Sequence, residues 1–299
     1  MPARWNQLLI ATIRVVMAII GTFGNTNLIY LVISRKQFRS KSSYLLAIQC
    51  FAHNICLLSY CIDAILIFTS HQLTRRQCFH LSIPFTFFVT LQYVLILFLV
   101  LDILIIISYS TFYRTTDTVT YMLIMLTLPI LFGTIFVVLG FVGINDEVLT
   151  VCTVVTALIP QYSEYWSELA IFFNTATLSV FLYLIYYFHK KGKTSGTSSE
   201  SRRVMERLQV SVIIFVIFCY IAYLGLYFYT FLGLTGDTLA TAVGNTVIFI
   251  TVAYSQNFYV IIWKSVEYRR QFMELWGFGE GKSTSVVTVQ SVSKALSGI

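Results

Sequence analysis

The sequence predicts an all-α membrane protein, a seven-transmembrane helical bundle with a short amphipathic eighth helix. Three observations carry this. Hydrophobic residues make up 57% of the 299 residues and charged residues only 11%, with a mean hydropathy of +0.78. A soluble domain carries roughly 25% charged residues, so the polar surface here is too small to cover a water-facing globule. Seven apolar runs each reach the ~20 residues that a bilayer-crossing helix needs. Finally, most of the Lys and Arg residues gather on one side of those runs.

The runs cover approximately 8–33, 44–70, 79–108, 118–143, 166–188, 208–232 and 238–263. Backbone polar groups must be satisfied within the bilayer, so the choice lies between helices and closed barrels. The runs are far longer than the ~10 alternating residues of a barrel strand, and helices follow. Arg4 ahead of an apolar stretch has the shape of a leader peptide. That stretch continues past Gly24 to Ile33 without a cleavage site, and it reads as the first span.

The connection Arg35–Lys41 carries four basic residues, and Arg114 lies in the next connection on that side. Lys190, Lys191, Lys193, Arg202, Arg203 and Arg207 fall between the fifth and sixth runs; Lys264, Arg269, Arg270, Lys282 and Lys294 follow the seventh. Only Arg4, Arg14, Arg75 and Arg76 remain for the other side, which places the rich side in the cytoplasm and the amino terminus outside. The net charge of +7 is thereby explained by topology and membrane lipids, with no nucleic-acid partner. His189–Ser201 reads as a polar Gly/Ser/Thr linker. Residues 1–276 read as one domain, and 277–299, rich in Ser, Thr and Val, as a disordered cytoplasmic tail. Within Glu267–Trp276, Tyr268, Phe272, Leu275 and Trp276 share a face, as in a helix lying on the inner leaflet; the alternative is a frayed extension of the seventh helix.

Catalytic and metal chemistry find little footing. His53, His71, His80 and His189 do not cluster with acids at metal-ligand spacing, and no Ser/His pair lies within one span. Neither an enzyme nor a cofactor is expected. Cys78 stands at the outer boundary of the third run and Asp102 lies 24 residues later, about 36 Å along a helix and so near the inner boundary. Cys152 falls in the next external loop. Both cysteines then meet oxidising conditions and can pair, pinning the loop over the bundle mouth; the alternative is two free thiols.

With these residues in place, the sequence resembles the rhodopsin-like seven-helix G-protein-coupled receptor superfamily, and within it the nematode serpentine chemoreceptors of the Srsx class. Gly24-Asn25, Phe38-Arg39-Ser40-Lys41-Ser42, Cys78-Phe79, Asp102 and Tyr113-Arg114 stand in family order and spacing. Tyr254-Ser255-Gln256-Asn257-Phe258, continuing through Trp263 to Glu267-Tyr268-Arg269-Arg270-Gln271-Phe272, looks like that class's ending of helix seven. The resemblance implies a plasma-membrane chemoreceptor. It would bind a small-molecule ligand in the outer half of the bundle and signal to a heterotrimeric G protein, with Asp102, Tyr113, Arg114 and Asn257 in the activation machinery. The sequence also departs from the pattern. Ile103 replaces the usual arginine after the aspartate, His53 the usual acid of helix two, and Phe258 the usual proline. Two readings stay open, a divergent activation mechanism or weak coupling.

Ionisable groups inside spans are costly and are functional candidates by default. Asp63, at the family's acidic position in the outer half of helix two, either reads a ligand's polar group or pairs with Arg75 or Arg76. Asn174 is a polar group that should face the bundle. Phe85, Thr86 and Phe88, with Tyr220, Tyr223 and Tyr227, are candidates for an aromatic cup suited to an apolar or weakly polar molecule; packing and lipid contact are the alternative. A channel or transporter would show several embedded charges or Gly/Pro-broken spans, whereas only four prolines are present. A retinal-linked photoreceptor would need a lysine within 238–263, and there is none.

Overall fold

A computed structural model describes residues 2–70, 72–149, 152–191, 199–233 and 236–277. The elements in order are α1 (Pro2–Ser34), a 3-10 turn at Lys36–Phe38, α2 (Lys41–Thr69), β1 (Leu73–Thr74), α3 (Arg75–Ser108), α4 (Ser110–Thr115) and α5 (Thr118–Val142). They continue through β2 (Val148–Leu149), α6 (Val154–Ala157), α7 (Pro160–Lys191), α8 (Ser199–Phe231), α9 (Gly236–Ser255), α10 (Asn257–Lys264) and α11 (Val266–Leu275).

Among the described residues, α1, α2, α3, α5 and α7 are each long and apolar enough to cross a bilayer. A sixth crossing is α9 with α10, bent by 45° at their junction. Before it in the chain comes α8, 33 residues long with a shorter apolar stretch at Val210–Ala222. Large apolar side chains lie exposed all around the bundle, among them Ile19, Ile65, Ile130, Phe141, Leu182 and Leu224. In water such a surface would aggregate; against lipid it is the matched one.

Several helices run past the apolar segments. α7 continues to Lys191 and α8 begins at Ser199, so the expected linker His189–Ser201 is helical at both ends. The reason is that a helix leaving the hydrocarbon loses nothing by continuing through good helix formers such as Lys, Glu and Arg. α7 likewise starts early, with Pro160 in its first turn, where the missing N–H costs nothing. Residues 192–198 and the tail from 278 onward lie outside the described residues.

α3 is the central post, packing on α2, α5, α6, α7 and α8. Its start is fixed by a capping box, with Thr74 Oγ1 accepting from the Gln77 N–H and the Gln77 side chain accepting from the Thr74 N–H. The connection after α5 returns to it: β1 pairs antiparallel with β2, Leu73 opposite Leu149. The free N–H groups of Arg75 and Arg76 donate to the carbonyls of Glu147 (2.8 Å) and Asn145 (3.1 Å). Beyond the seventh span, α11 is capped by Ser265 and folds under the bundle. Tyr268 stacks on Phe38 with ring centroids 4.1 Å apart, Phe272 meets Phe258 edge-on, and Trp276 Nε1 donates to Asn27 Oδ1 at 3.0 Å. Arg269 and Arg270 stay exposed. The expected amphipathic eighth helix is therefore a separate element with its own cap.

The bend between α9 and α10 forms without proline. Asn25 Nδ2 donates to the Tyr254 carbonyl (3.1 Å), and Ser255 Oγ bonds back to the Thr251 carbonyl (2.8 Å) and to that of Met17 (3.1 Å). Side chains that capture ladder carbonyls bend a helix in this way.

Candidate ligand and signalling sites

The end of the bundle that carries β1 and β2 is closed by a covalent bond and an ionic staple. Cys78 and Cys152 form a disulfide. One turn before Cys78, the Arg75 guanidinium is 7% exposed and saturates the loop around it. Its Nη1 donates to the carbonyls of Thr156 (2.7 Å) and Leu158 (2.6 Å), its Nε to Asn145 Oδ1 (3.1 Å), and its Nη2 to Glu147 Oε2 (2.8 Å). The hydrogen bond and charge of Arg75 hold the Glu147 carboxyl below the usual carboxylate range. Arg76 pairs with Asp146 at 3.2 Å.

These pairings correct one expectation. Arg75 and Arg76 are committed to Glu147 and Asp146, so neither is the partner of Asp63. Asp63 instead feels the charge of Arg14 on α1.

The aromatic candidates do not form one cup. Phe85 is buried against Tyr60, edge-on at 5.2 Å, and Tyr60 is followed by Tyr254, His53 and Phe215 in a chain of ring contacts across α2, α9 and α8. Phe88 turns toward Phe51, which is half exposed, and toward Phe87. Tyr220 points into the seam between α7 and α8, where its hydroxyl meets the exposed Thr175 at 2.5 Å. Depth along the bundle does not fix which neighbours a side chain meets, and Phe88 and Tyr220 lie at suitable depths but pack elsewhere. The side chains of Tyr223 and Tyr227 lie outside those described. Thr86 and Asn174 are both buried, and among the described residues Thr86 Oγ1 and Asn174 Oδ1 have no hydrogen-bond partner. Glu168 is exposed on α7.

Midway along the bundle a polar latch joins three spans. His53 is fully buried, with its Nδ1 3.2 Å from Asn257 Nδ2 and its Nε2 3.3 Å from Gln49 Nε2. Ser211 on α8 donates to Asn257 Oδ1 (2.9 Å), and Gln256 Nε2 donates to the Ser211 carbonyl (2.9 Å). Beside the latch lies a small cleft, with space for about one water molecule, lined by Leu46, Gln49, Ile96, Leu99, Ile103, Ser211, Val212 and Asn257.

Nearer the end that carries α4 and α11 is a second polar cluster. Asp102 is fully buried and accepts from Ser42 Oγ on α2 and Tyr121 on α5. Lys41 donates to the carbonyls of Tyr113 and Thr116 and stands 4.6 Å above the Tyr113 ring. Tyr113 reaches Ser42 at 3.4 Å. Arg114 is exposed on α4 and outside this cluster. Thus Asp102 and Tyr113 come together while Asn257 belongs to the latch. Ile103, one position on from Asp102, packs against Phe181 and Leu184 of α7 and Val212 and Val216 of α8. Ser42 and Gln256 entered the sequence reading only as parts of family motifs, and Tyr121 and Ser211 not at all; a polar residue within one turn of a span boundary was the available signal for Ser42 and Tyr121.

Among the described residues no group of three or more His, Cys, Asp or Glu could hold a metal ion. The family model of the serpentine type 7TM GPCR chemoreceptor Srsx matches residues 18–276, most of the chain. No curated protein matches. That family is one of multi-pass membrane receptors and not of enzymes.

Proposed function

This chain belongs to the serpentine type 7TM GPCR chemoreceptor family Srsx, and on that premise we propose that it binds a small molecule in the half of the bundle beneath the Cys78–Cys152 loop and signals to a heterotrimeric G protein at the opposite end. In this reading the disulfide end faces outward at the plasma membrane, the chain's basic end faces the cytoplasm, and surrounding lipid covers the apolar flanks.

The observation that carries the reading is the latch. Ser211 ties α8 to the bend of the seventh span, and Asn257 ties that bend to His53 on α2. A ligand whose affinity differs between two arrangements of these three spans shifts their populations, and Ile103 adds only apolar packing to what holds α8. Asp102, locked to α2 and α5, holds the rest of that end as the fixed frame.

Ligand-stimulated nucleotide exchange on a panel of G proteins, in membranes expressing the full chain, tests the proposal. Exchange above basal for any chemical that binds is expected. Absence of exchange for every chemical shown to bind would remove the coupling claim.

A further inference from the structure

The least explained charge in the bundle is Arg14, on α1 within the first span. It is 6% exposed, yet among the described residues its Nη2 bonds only to the Gly244 carbonyl on α9, at 3.0 Å, and its buried Nε has no partner. The guanidinium carbon lies 5.9 Å from the centroid of the Tyr60 ring. Asp63 stands three residues beyond Tyr60 on α2, which puts both on one helix face, and it feels the Arg14 charge. Among the described residues neither Arg14 nor Asp63 is in a direct ion pair. A buried cation and a carboxylate are therefore held at the same site, near enough to act on each other and not in contact. Inside a membrane that arrangement is expensive unless something bridges it.

The site sits at one depth. Arg14 is six residues from Leu8 on α1 and Asp63 six residues from Thr69 on α2, each about 9 Å from the disulfide end of its apolar run. Further along, the helices close on α1. A methyl group on Gly21 would come within 2.4 Å of Ser255 Oγ, and one on Gly24 within 2.9 Å of Phe258. At Gly244, beside Arg14, an added methyl would meet nothing closer than Ile10 Cδ1 at 3.7 Å and Arg14 Nη2 at 3.8 Å. The α1 seam thus leaves no space for a methyl at Gly21, whereas beside Arg14 one would make ordinary contacts. One wall is aromatic, with Tyr60 touching both Phe85 and Tyr254.

We propose that the junction of α1, α2 and α9 is the ligand site of this receptor, and that its ligand is a small zwitterion: carboxylate on the Arg14 Nε edge, ammonium on Asp63, and the apolar remainder against Tyr60 and Phe85. The charges of the site sum to zero, so a ligand of zero net charge with separated poles satisfies both without leaving a surplus charge in the bilayer. A simple acid would face Asp63 and a simple amine would face Arg14, each at a repulsive cost. A guanidinium edge with an open Nε–H also suits a carboxylate by bidentate geometry. This assignment rests on the receptor reading and deepens it by naming the ligand class.

The test is the thermal midpoint of the purified full-length chain in detergent. The probes are glycine, alanine, β-alanine, γ-aminobutyrate and phenylalanine, with acetate, propionate, ethylamine, propylamine and propanol as matched single-function compounds. At least one zwitterion is expected to raise the midpoint and the single-function compounds are not. Arg14→Gln and Asp63→Asn should each weaken that zwitterion's apparent affinity about tenfold or more, as expected for loss of a charge-assisted contact. Arg14→Lys should weaken it less. If one neutralising variant fails to fold, the other carries the test. The inference is overturned if no zwitterion moves the midpoint, if an acid, an amine or propanol moves it equally, or if the variants keep full affinity. An unrelated chemical that stimulates nucleotide exchange undiminished through both variants would overturn this site and leave the receptor standing. Zwitterion binding without exchange on any G protein would leave the site and remove the coupling.

Discussion

Replacing Arg75 by alanine should cost more than replacing any other charged residue at the disulfide end, and the structure says how much. The guanidinium serves two backbone carbonyls and an amide oxygen as well as the Glu147 carboxylate. Hydrogen bonds to a charged group contribute roughly 1.5–3 kcal/mol each, and stranding buried acceptors adds desolvation. Water can reach part of the cavity left behind, so the net loss comes to about 3–5 kcal/mol, the scale for breaking a buried charge pair. In a chain of this size that lowers a thermal midpoint by on the order of 10 °C. Glu147 is the exposed partner, its side chain 59% accessible, and Glu147→Gln should therefore shift the midpoint far less than Arg75→Ala. The sign of the pH effect follows. Because Arg75 depresses the Glu147 carboxyl value, the contribution of the pair is complete above the ordinary carboxylate range and is lost as pH falls through the depressed value. Wild type should accordingly lose midpoint in acid by an increment that Glu147→Gln lacks. Thermal unfolding of the solubilised chain, followed against pH, checks both statements. If Glu147→Gln proves as damaging as Arg75→Ala, the carboxylate and not the backbone carbonyls carries the staple, and the reasoning fails.

The other expectations concern separate parts of the bundle. Cys152→Ala should lose surface expression or ligand binding, and unchanged behaviour in both assays would count against the loop clamp. A methyl group on Gly140 would fall 2.0 Å from Phe79 Cε2, so Gly140→Ala should cost about 1–3 kcal/mol of overpacking between α3 and α5, read as a lowered thermal midpoint. Tyr121→Phe removes one donor to the buried Asp102 and should cost about 1–3 kcal/mol in the same measurement, while Arg114→Ala, on an exposed site, should cost nothing measurable. Ser211→Ala removes the hydroxyl that holds the Asn257 side chain, leaving the Gln256 bond to the residue-211 carbonyl, and should raise basal nucleotide exchange; an unchanged basal rate would mean the Ser211 hydroxyl does not restrain α8.

The spans were legible because lipid imposes length and apolarity on every crossing segment, so the seven runs locate the helices to within several residues. The Cys78–Cys152 pair was legible as one of two readings because both residues flank runs on the same side. Element ends were harder. Nothing in hydropathy marks α7 continuing to Lys191 or α8 starting at Ser199, since both extensions lie beyond the hydrocarbon that hydropathy senses. Partnerships were hardest. Asp102 was identified, but its donors lie 60 residues upstream and 19 downstream, and only packing brings them together. Arg14 went unremarked as one of four basic residues on the poor side, because its significance depends on Tyr60, Asp63 and Gly244 meeting it from two other helices. Phe88 and Tyr220 sat at plausible depths and were turned away by helical rotation alone.

With Phe258 where a ring-locked residue is usual, the seventh span is angled only by exchangeable contacts: Asn25 on one carbonyl, Ser255 on two more, and Gln256 reaching across to α8. The bonds to the Tyr254 and Thr251 carbonyls occupy the span's own ladder acceptors, and the others reach the Met17 and Ser211 carbonyls of its neighbours. The segment can therefore straighten and re-bend by swapping partners, with no covalent obstacle in either direction. A hinge so made is set by its neighbours, and whatever displaces α1 or α8 resets its angle.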